Sequence, residues 1–187
     1  MRDLAAAQAA DAAPQQQVAI AKPPKPVSAP PRPHIPTIAI IAAGDEAVSE
    51  PAERAIEQAL AQHGYHVIDQ DTMPRVDHLL EGARPNVPAV LEALARRGNV
   101  DAIVLVHARA VGAQEITFYG QSDTLKTAKL SVTAFAVEGR RKLGVGWSDD
   151  VHFTALSASD KAEEAVEPML AQIEDRLREF RPAGRRE

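Results

Sequence analysis

Thr37-Ile38-Ala39-Ile40-Ile41-Ala42-Ala43 is an unbroken apolar run closed by Gly44-Asp45. A strand with one wet face alternates apolar and polar side chains. A continuous run of this length reads instead as a strand buried on both faces, in the interior of a largely parallel sheet. Downstream, Ser49 is a candidate helix cap with Pro51 in the first turn. Ala52, Ala55, Ile56, Ala59 and Leu60 then recur at helical spacing up to Gly64. Tyr65 to Asp69 reads as a second strand. Two short helical segments follow, one opened by Thr72-Met73-Pro74 with Val76, Leu79 and Leu80 inside. The other is opened by Asn86-Val87-Pro88, with Val90, Leu91 and Leu94 inside and Gly98 at its end.

Asp101 introduces Ala102-Ile103-Val104-Leu105-Val106, a third buried strand, and there the pattern changes. Ile116 to Tyr119, Lys126 to Glu138 and Lys142 to Thr154 are strand-like, with turns between them, Glu138-Gly139-Arg140 being one. In the middle run Ala128, Leu130, Val132, Ala134 and Ala136 share one face. Lys129, Ser131 and Thr133 share the other, which predicts a partly wet sheet. Ser157 to Asp160 has the spacing of a capping box. It precedes a helix with Ala162, Ala165, Val166, Met169, Leu170, Ile173, Leu177 and Phe180 on one face, kinked or divided at Pro168. The expected fold is α/β with an α+β tendency: a mixed sheet of about five strands, element order β-α-β-α-α-β-β-β-α, with helices packed on the sheet.

The domain so defined runs from residue 37 to 181. Residues 1–36 carry 8 of the 14 prolines and a net charge of +2, leaving −7 for the rest of a chain whose total is −5. Proline fixes φ and removes backbone donors, so this Ala/Pro-rich segment is expected to be a disordered linker with polyproline character. Residues 22–36 would span roughly 45 Å at about 3.1 Å per residue. Residues 182–187 read as a polar tail. Met1-Arg2-Asp3-Leu4 is followed by no apolar core of a secretory signal, and no stretch approaches the ~20 apolar residues that cross a bilayer. The expected location is the periplasm or envelope behind a removed anchor or signal, or the cytoplasm if the chain is complete as given. No direct membrane insertion by this chain is expected.

Composition excludes several classes of chemistry. With no Cys among 187 residues there is no disulfide framework, thiolate metal site or cysteine nucleophile. The acidic balance gives no general attraction to nucleic acid. Gly44-Asp45-Glu46 ends the first strand where open α/β sheets bind ligands, yet two carboxylates after one glycine disfavour a phosphate. A phospho-accepting receiver would want a carboxylate at the end of the third strand, where His107-Ala108-Arg109 stands. His63 and His66 straddle a helix end, and His78 lies among Asp77 and Glu81 without the spacing of a ligand cluster, so neither a metal nor a cofactor is expected. Asp149, Asp150 and His152 are the raw material of a hydrolase, but no nucleophile elbow accompanies them. The reading is therefore a non-enzyme. The segment from Arg109 to Leu125 is the strongest candidate for contact, with two of seven aromatic residues adjacent among Gly, Gln and Ser. Arg109, Phe118, Tyr119, Gln121 and Trp147 are the candidate interaction residues. A small-molecule sensor with its ligand near Gly44–Ser49 is the alternative.

From about Pro36 to Arg181 the chain resembles the amino-terminal α/β domain of the Tol-Pal β-propeller protein. It is also similar in layout to the curli secretion lipoprotein family and to domains of flagellar assembly proteins. The residues that carry this are Thr37-Ile38-Ala39-Ile40-Ile41 before an amphipathic helix, Gly64-Tyr65-His66-Val67-Ile68-Asp69, and Asn99-Val100-Asp101-Ala102-Ile103-Val104-Leu105-Val106 before a meander and a closing helix. The resemblance implies a non-catalytic envelope module that docks a protein partner or forms a homo-oligomer, with no catalytic residues to carry over. The chain departs from those families in lacking both the lipoprotein's anchoring cysteine and a propeller.

Overall fold

The computed structural model describes residues 35–68, 72, 73, 76, 79, 85–144 and 146–180. The expectations for the linker up to residue 34, for the polar tail, for His78 and for most of the helix after Thr72 lie outside these residues. The elements are β1 (Thr37–Gly44), α1 (Glu46–Gln62), β2 (His66–Ile68), α2 (Val87–Arg97), β3 (Ala102–Phe118), β4 (Gln121–Ala136), β5 (Arg141–Lys142), β6 (Trp147–Phe153) and α3 (Ala158–Glu179). They form a mixed α/β architecture: one six-stranded sheet in the order β2-β1-β3-β4-β5, with β6 also pairing β4. β1 is parallel to β2 and β3, while β4 is antiparallel to β3, β5 and β6.

β1 is central and buried on both faces, as its unbroken apolar run requires. Ile38 and Ile40 join one core with Val48, Ile56 and Leu60 of α1 and Val166, Met169 and Leu177 of α3. Ala39, Ile41 and Ala43 join a second core with Val90, Leu91 and Leu94 of α2. A latch fixes where the parallel pairing begins: Thr37 N–H donates to Asp101 Oδ2 at 2.8 Å and Asp101 N–H returns to the Thr37 carbonyl at 2.9 Å. The far end of the pairing is set by Gly44 at φ +96, where a Cβ would stand 1.8 Å from the Ala108 carbonyl oxygen. Only glycine lets the two backbones approach that closely, and the next residue uses the approach, Asp45 N–H donating to the same carbonyl at 2.8 Å.

Several local expectations are corrected. α1 starts at Glu46, and its cap is Asp45, whose carboxylate accepts from Ala47 N–H at 3.2 Å; Ser49 is buried inside the helix. Ser157 precedes α3 but makes no side-chain cap, because its hydroxyl accepts from Thr154 N–H at 3.0 Å. Pro168 lies inside α3, a single helix of 22 residues. The largest difference concerns β3 and β4. The break expected between Val106 and Ile116 does not exist: β3 runs for 17 residues, with one bulge, and β4 for 16. The late strand-like run is in turn divided, β5 and β6 being separated at Leu143 to Gly146.

Candidate functional site

The extra length of β3 and β4 leaves the sheet as an arm. β1 pairs with β3 only as far as Gly44 opposite Ala108, and β6 pairs with β4 only from Lys126 onward. Residues 109–113 pair with 126–129, which β6 still flanks; beyond them residues 114–118 and 121–125 pair only with each other, giving a two-stranded ribbon roughly 16 Å long at ~3.3 Å per residue. Its tip is a two-residue turn, Tyr119-Gly120, with φ of 50° and 79°. Two successive positive φ values define the turn whose twist matches that of the flanking strands. Glycine suits the second position; tyrosine at the first is held in a region that costs an L-residue about 1–2 kcal/mol. Tyr119 is 94% exposed. At the root the register steps between Ala110 and Gly112, leaving Val111 as the extra, exposed residue of a bulge.

Of the five residues singled out from the sequence, three map to this arm: Phe118 closes β3 opposite Gln121, Tyr119 forms the turn and Gln121 opens β4, while Arg109 is exposed below the arm, opposite Lys129. Trp147 does not join them. It lies on β6 opposite Val132, half-buried against the core under α1 and α3. The arm itself was not foreseen. The signal for it was Gly120 at a turn position between two β-prone runs, masked by the absence of the usual Asn-Gly.

The face of β3, β4 and β6 turned away from α1 and α3 is polar beyond Ile103, Leu105 and Phe135, which join the second core. In register across the three strands lie Arg109, Lys129 and Asp150, flanked by Thr127 with His152 and by His107 with Ser131 and Ser148. Lys129 Nζ meets Asp150 Oδ1 at 3.2 Å, and His152 Nδ1 lies 2.9 Å from Thr127 Oγ1. Burial, reinforced by the Arg109 guanidinium, holds the His107 imidazole below the ordinary histidine range. Strand alternation puts Asp149 on the opposite face from Asp150 and His152. The three residues considered for hydrolysis are therefore not brought together, and two of them are engaged by cross-strand partners.

The other candidates are also accounted for. At the strand end, Asp45 caps α1 and Gly44 is filled by the Ala108 backbone, leaving a shallow depression between Asp45, Ala110, Gly112, Lys126 and Thr127. His63 bridges two helices, its Nδ1 2.6 Å from Glu174 Oε1 and 2.9 Å from the Ala59 carbonyl, while His66 stands exposed in β2. Among the described residues no group of three His, Asp or Glu side chains is placed to hold a metal, and no helix is long and apolar enough to cross a membrane.

No family model and no curated protein matches the chain. Solved structures do share its layout. One is the lipoprotein GNA1162 from Neisseria meningitidis, 13% identical with a TM-score of 0.47, covering 75% of this chain and 99% of that one. A hypothetical protein from Chlamydia trachomatis is 8% identical with a TM-score of 0.43, covering 79% and 100%. PelC from Paraburkholderia phytofirmans, crystallised as a dodecamer, is 14% identical with a TM-score of 0.39, covering 72% and 87%. A minor lipoprotein from Acinetobacter baumannii, 8% identical with a TM-score of 0.38, covers 80% and 98%. None of these four names states a catalytic activity, and none is a Tol-Pal or curli protein. At these identities and scores the likeness is one of layout; it assigns neither partner nor activity to this chain.

Proposed function

We propose that this chain is a non-catalytic assembly domain of the bacterial envelope, held on a proline-rich linker, and that it docks a protein partner or another copy through the β3–β4 arm. The observation that carries the reading is the ribbon of residues 114–118 and 121–125, whose strands pair only with each other. An isolated two-stranded ribbon is marginal in water, and its outer edges present unpaired N–H and C=O groups along a β-prone stretch. Addition of a strand from a partner would satisfy those groups, with Tyr119 at the tip as a large aromatic anchor. The domain boundaries at 37 and 181, the periplasmic or envelope location and the kinship with the Tol-Pal and curli secretion domains belong to the same proposal. The polar residues that could support turnover are spent on structure: Asp45 on a cap, Asp150 on Lys129, His152 on Thr127.

The test is an arm-shortened chain in which residues 113–126 are replaced by Asn-Gly. Gly112 and Thr127 face each other six residues from the Phe118–Gln121 pair, so the new turn closes an equivalent pair. The variant is expected to keep its helical circular dichroism and its melting transition. It should fail to retain, from bacterial envelope extracts, the protein that the whole chain retains. Equal retention by both chains overturns the arm as the docking element.

A further inference from the structure

The charges of the domain are sorted by face. α1 carries four Glu against one Arg, and α3 carries seven acidic residues against three basic ones. These two helices thus account for a charge of −7, and Glu46, Glu50, Asp160, Glu163, Glu164 and Glu167 are all exposed. The opposite side of the sheet has the other sign. Past Ile103, Leu105 and Phe135, which pack in the second core with α2, Arg109 and Lys142 stand exposed and Lys129 half-buried, with Asp150. A Cβ on Gly146 would lie 2.5 Å from Thr133 Oγ1 and 2.9 Å from Lys142 Nζ, which places the Lys142 ammonium beside the Thr133 hydroxyl.

The register adds a second observation. Arg109 and Lys129 are directly opposite one another on neighbouring strands. Like charges so placed destabilise a sheet, and among the described residues the Asp150 carboxylate pairs with Lys129. A carboxylate arriving from outside would relieve the pair. The domain's own acidic surface lies on the far side of its sheet and cannot reach; the same surface on another copy can.

We propose that copies of this chain associate head to tail, the cationic open sheet face of one copy seated on the acidic outer surface of the α1 and α3 layer of the next. The occupant is a second copy because one molecule carries both complementary surfaces at once. Such a contact is heterologous, so it closes into a ring or grows as a filament according to its rotation. The inference does not rest on the arm, since residues 112–125 take no part in it.

Light scattering on the full chain at about 100 μM, in salt from 20 to 500 mM, tests it. Assembly above the monomer mass is expected at low salt. It should dissociate as the screening length falls from about 20 Å to about 4 Å, with an apparent Kd at least ~10-fold weaker at the high end. Arg109→Glu/Lys142→Glu and Glu163→Lys/Glu167→Lys alter exposed side chains, so both should stay folded by circular dichroism. Each alone should be monomeric, and an equimolar mixture should recover an assembly in which the two variants alternate. A wild-type monomer throughout overturns the second copy as occupant. An assembly that ignores salt, or survives both double substitutions, overturns the charged faces. An assembly lost only on shortening the arm assigns self-association to the arm instead and overturns this inference without touching the arm's role.

Discussion

Replacing Gly44 by Ala probes the junction on which the arm is built. The residue has φ +96, and an added Cβ would sit 1.8 Å from the Ala108 carbonyl oxygen, far inside contact distance. Two costs follow. The left-handed backbone disfavours any L-residue by about 1–2 kcal/mol. Relief of the clash requires β1 and β3 to part, which loses the Asp45 N–H to Ala108 carbonyl bond, another ~0.5–1.5 kcal/mol. The sum is roughly 1.5–3.5 kcal/mol, a large share of the ~5–15 kcal/mol stability of a domain. Gly64→Ala is the control: its φ is +82 and a Cβ there meets nothing within 4 Å, so only the backbone cost of about 1–2 kcal/mol applies. Urea unfolding followed by far-ultraviolet circular dichroism, with stability extrapolated from unchanged m values, measures both. Gly44→Ala should fall below Gly64→Ala by about 1 kcal/mol. Equal losses in the two variants would refute the close approach of the strands at Ala108.

Tyr119→Asn should separate stability from binding, because asparagine tolerates positive φ better than tyrosine. Hydrogen exchange within the arm should slow by up to ~5-fold, corresponding to a gain of up to about 1 kcal/mol, while partner retention drops. Phe153, 1% exposed on β6, anchors the edge of the sheet against α3, so Phe153→Ala should cost about 3–5 kcal/mol in urea unfolding. For His107 the folded state disfavours the proton, so the unfolded chain binds it first as the pH falls. Stability should be level above pH ~6.5, decline as the pH drops below that value, and level off again below the folded pKa. His107→Gln should remove that part of the slope in unfolding measured from pH 5 to 8.

The central layers were legible because their residues leave little choice. A run such as Thr37–Ala43 cannot face water on either side, and Asn86 and Gly98 bracket α2 as cap and left-handed stop. The alternation from Ala128 to Ala136 separated the core side from the wet side before any coordinates. What escaped was set by competition among local groups. Asp45 outcompeted Ser49 for the first helical amides, and the Ser157 hydroxyl turned back to Thr154 instead of forward into α3. The arm escaped for a different reason. Val111-Gly112-Ala113-Gln114-Glu115 has weak strand propensity and reads as a connection. Strand pairing over the whole length of Leu125 to Ala110 overrides that preference, and one bulged residue absorbs the mismatch. The candidate site was therefore legible as a set of residues around Arg109 to Gln121, while its shape was not.

The most direct measurement is site-specific photocrosslinking from two equally exposed positions. Tyr119 at the tip of the arm and Leu156 before α3 are 94% and 93% exposed. A photoreactive phenylalanine analogue at either site therefore meets solvent and neighbours on equal terms. In envelope extracts, residue 119 is predicted to give a discrete adduct and residue 156 none. Adducts of the same pattern and yield from both positions, or from Leu156 alone, would contradict docking through the arm.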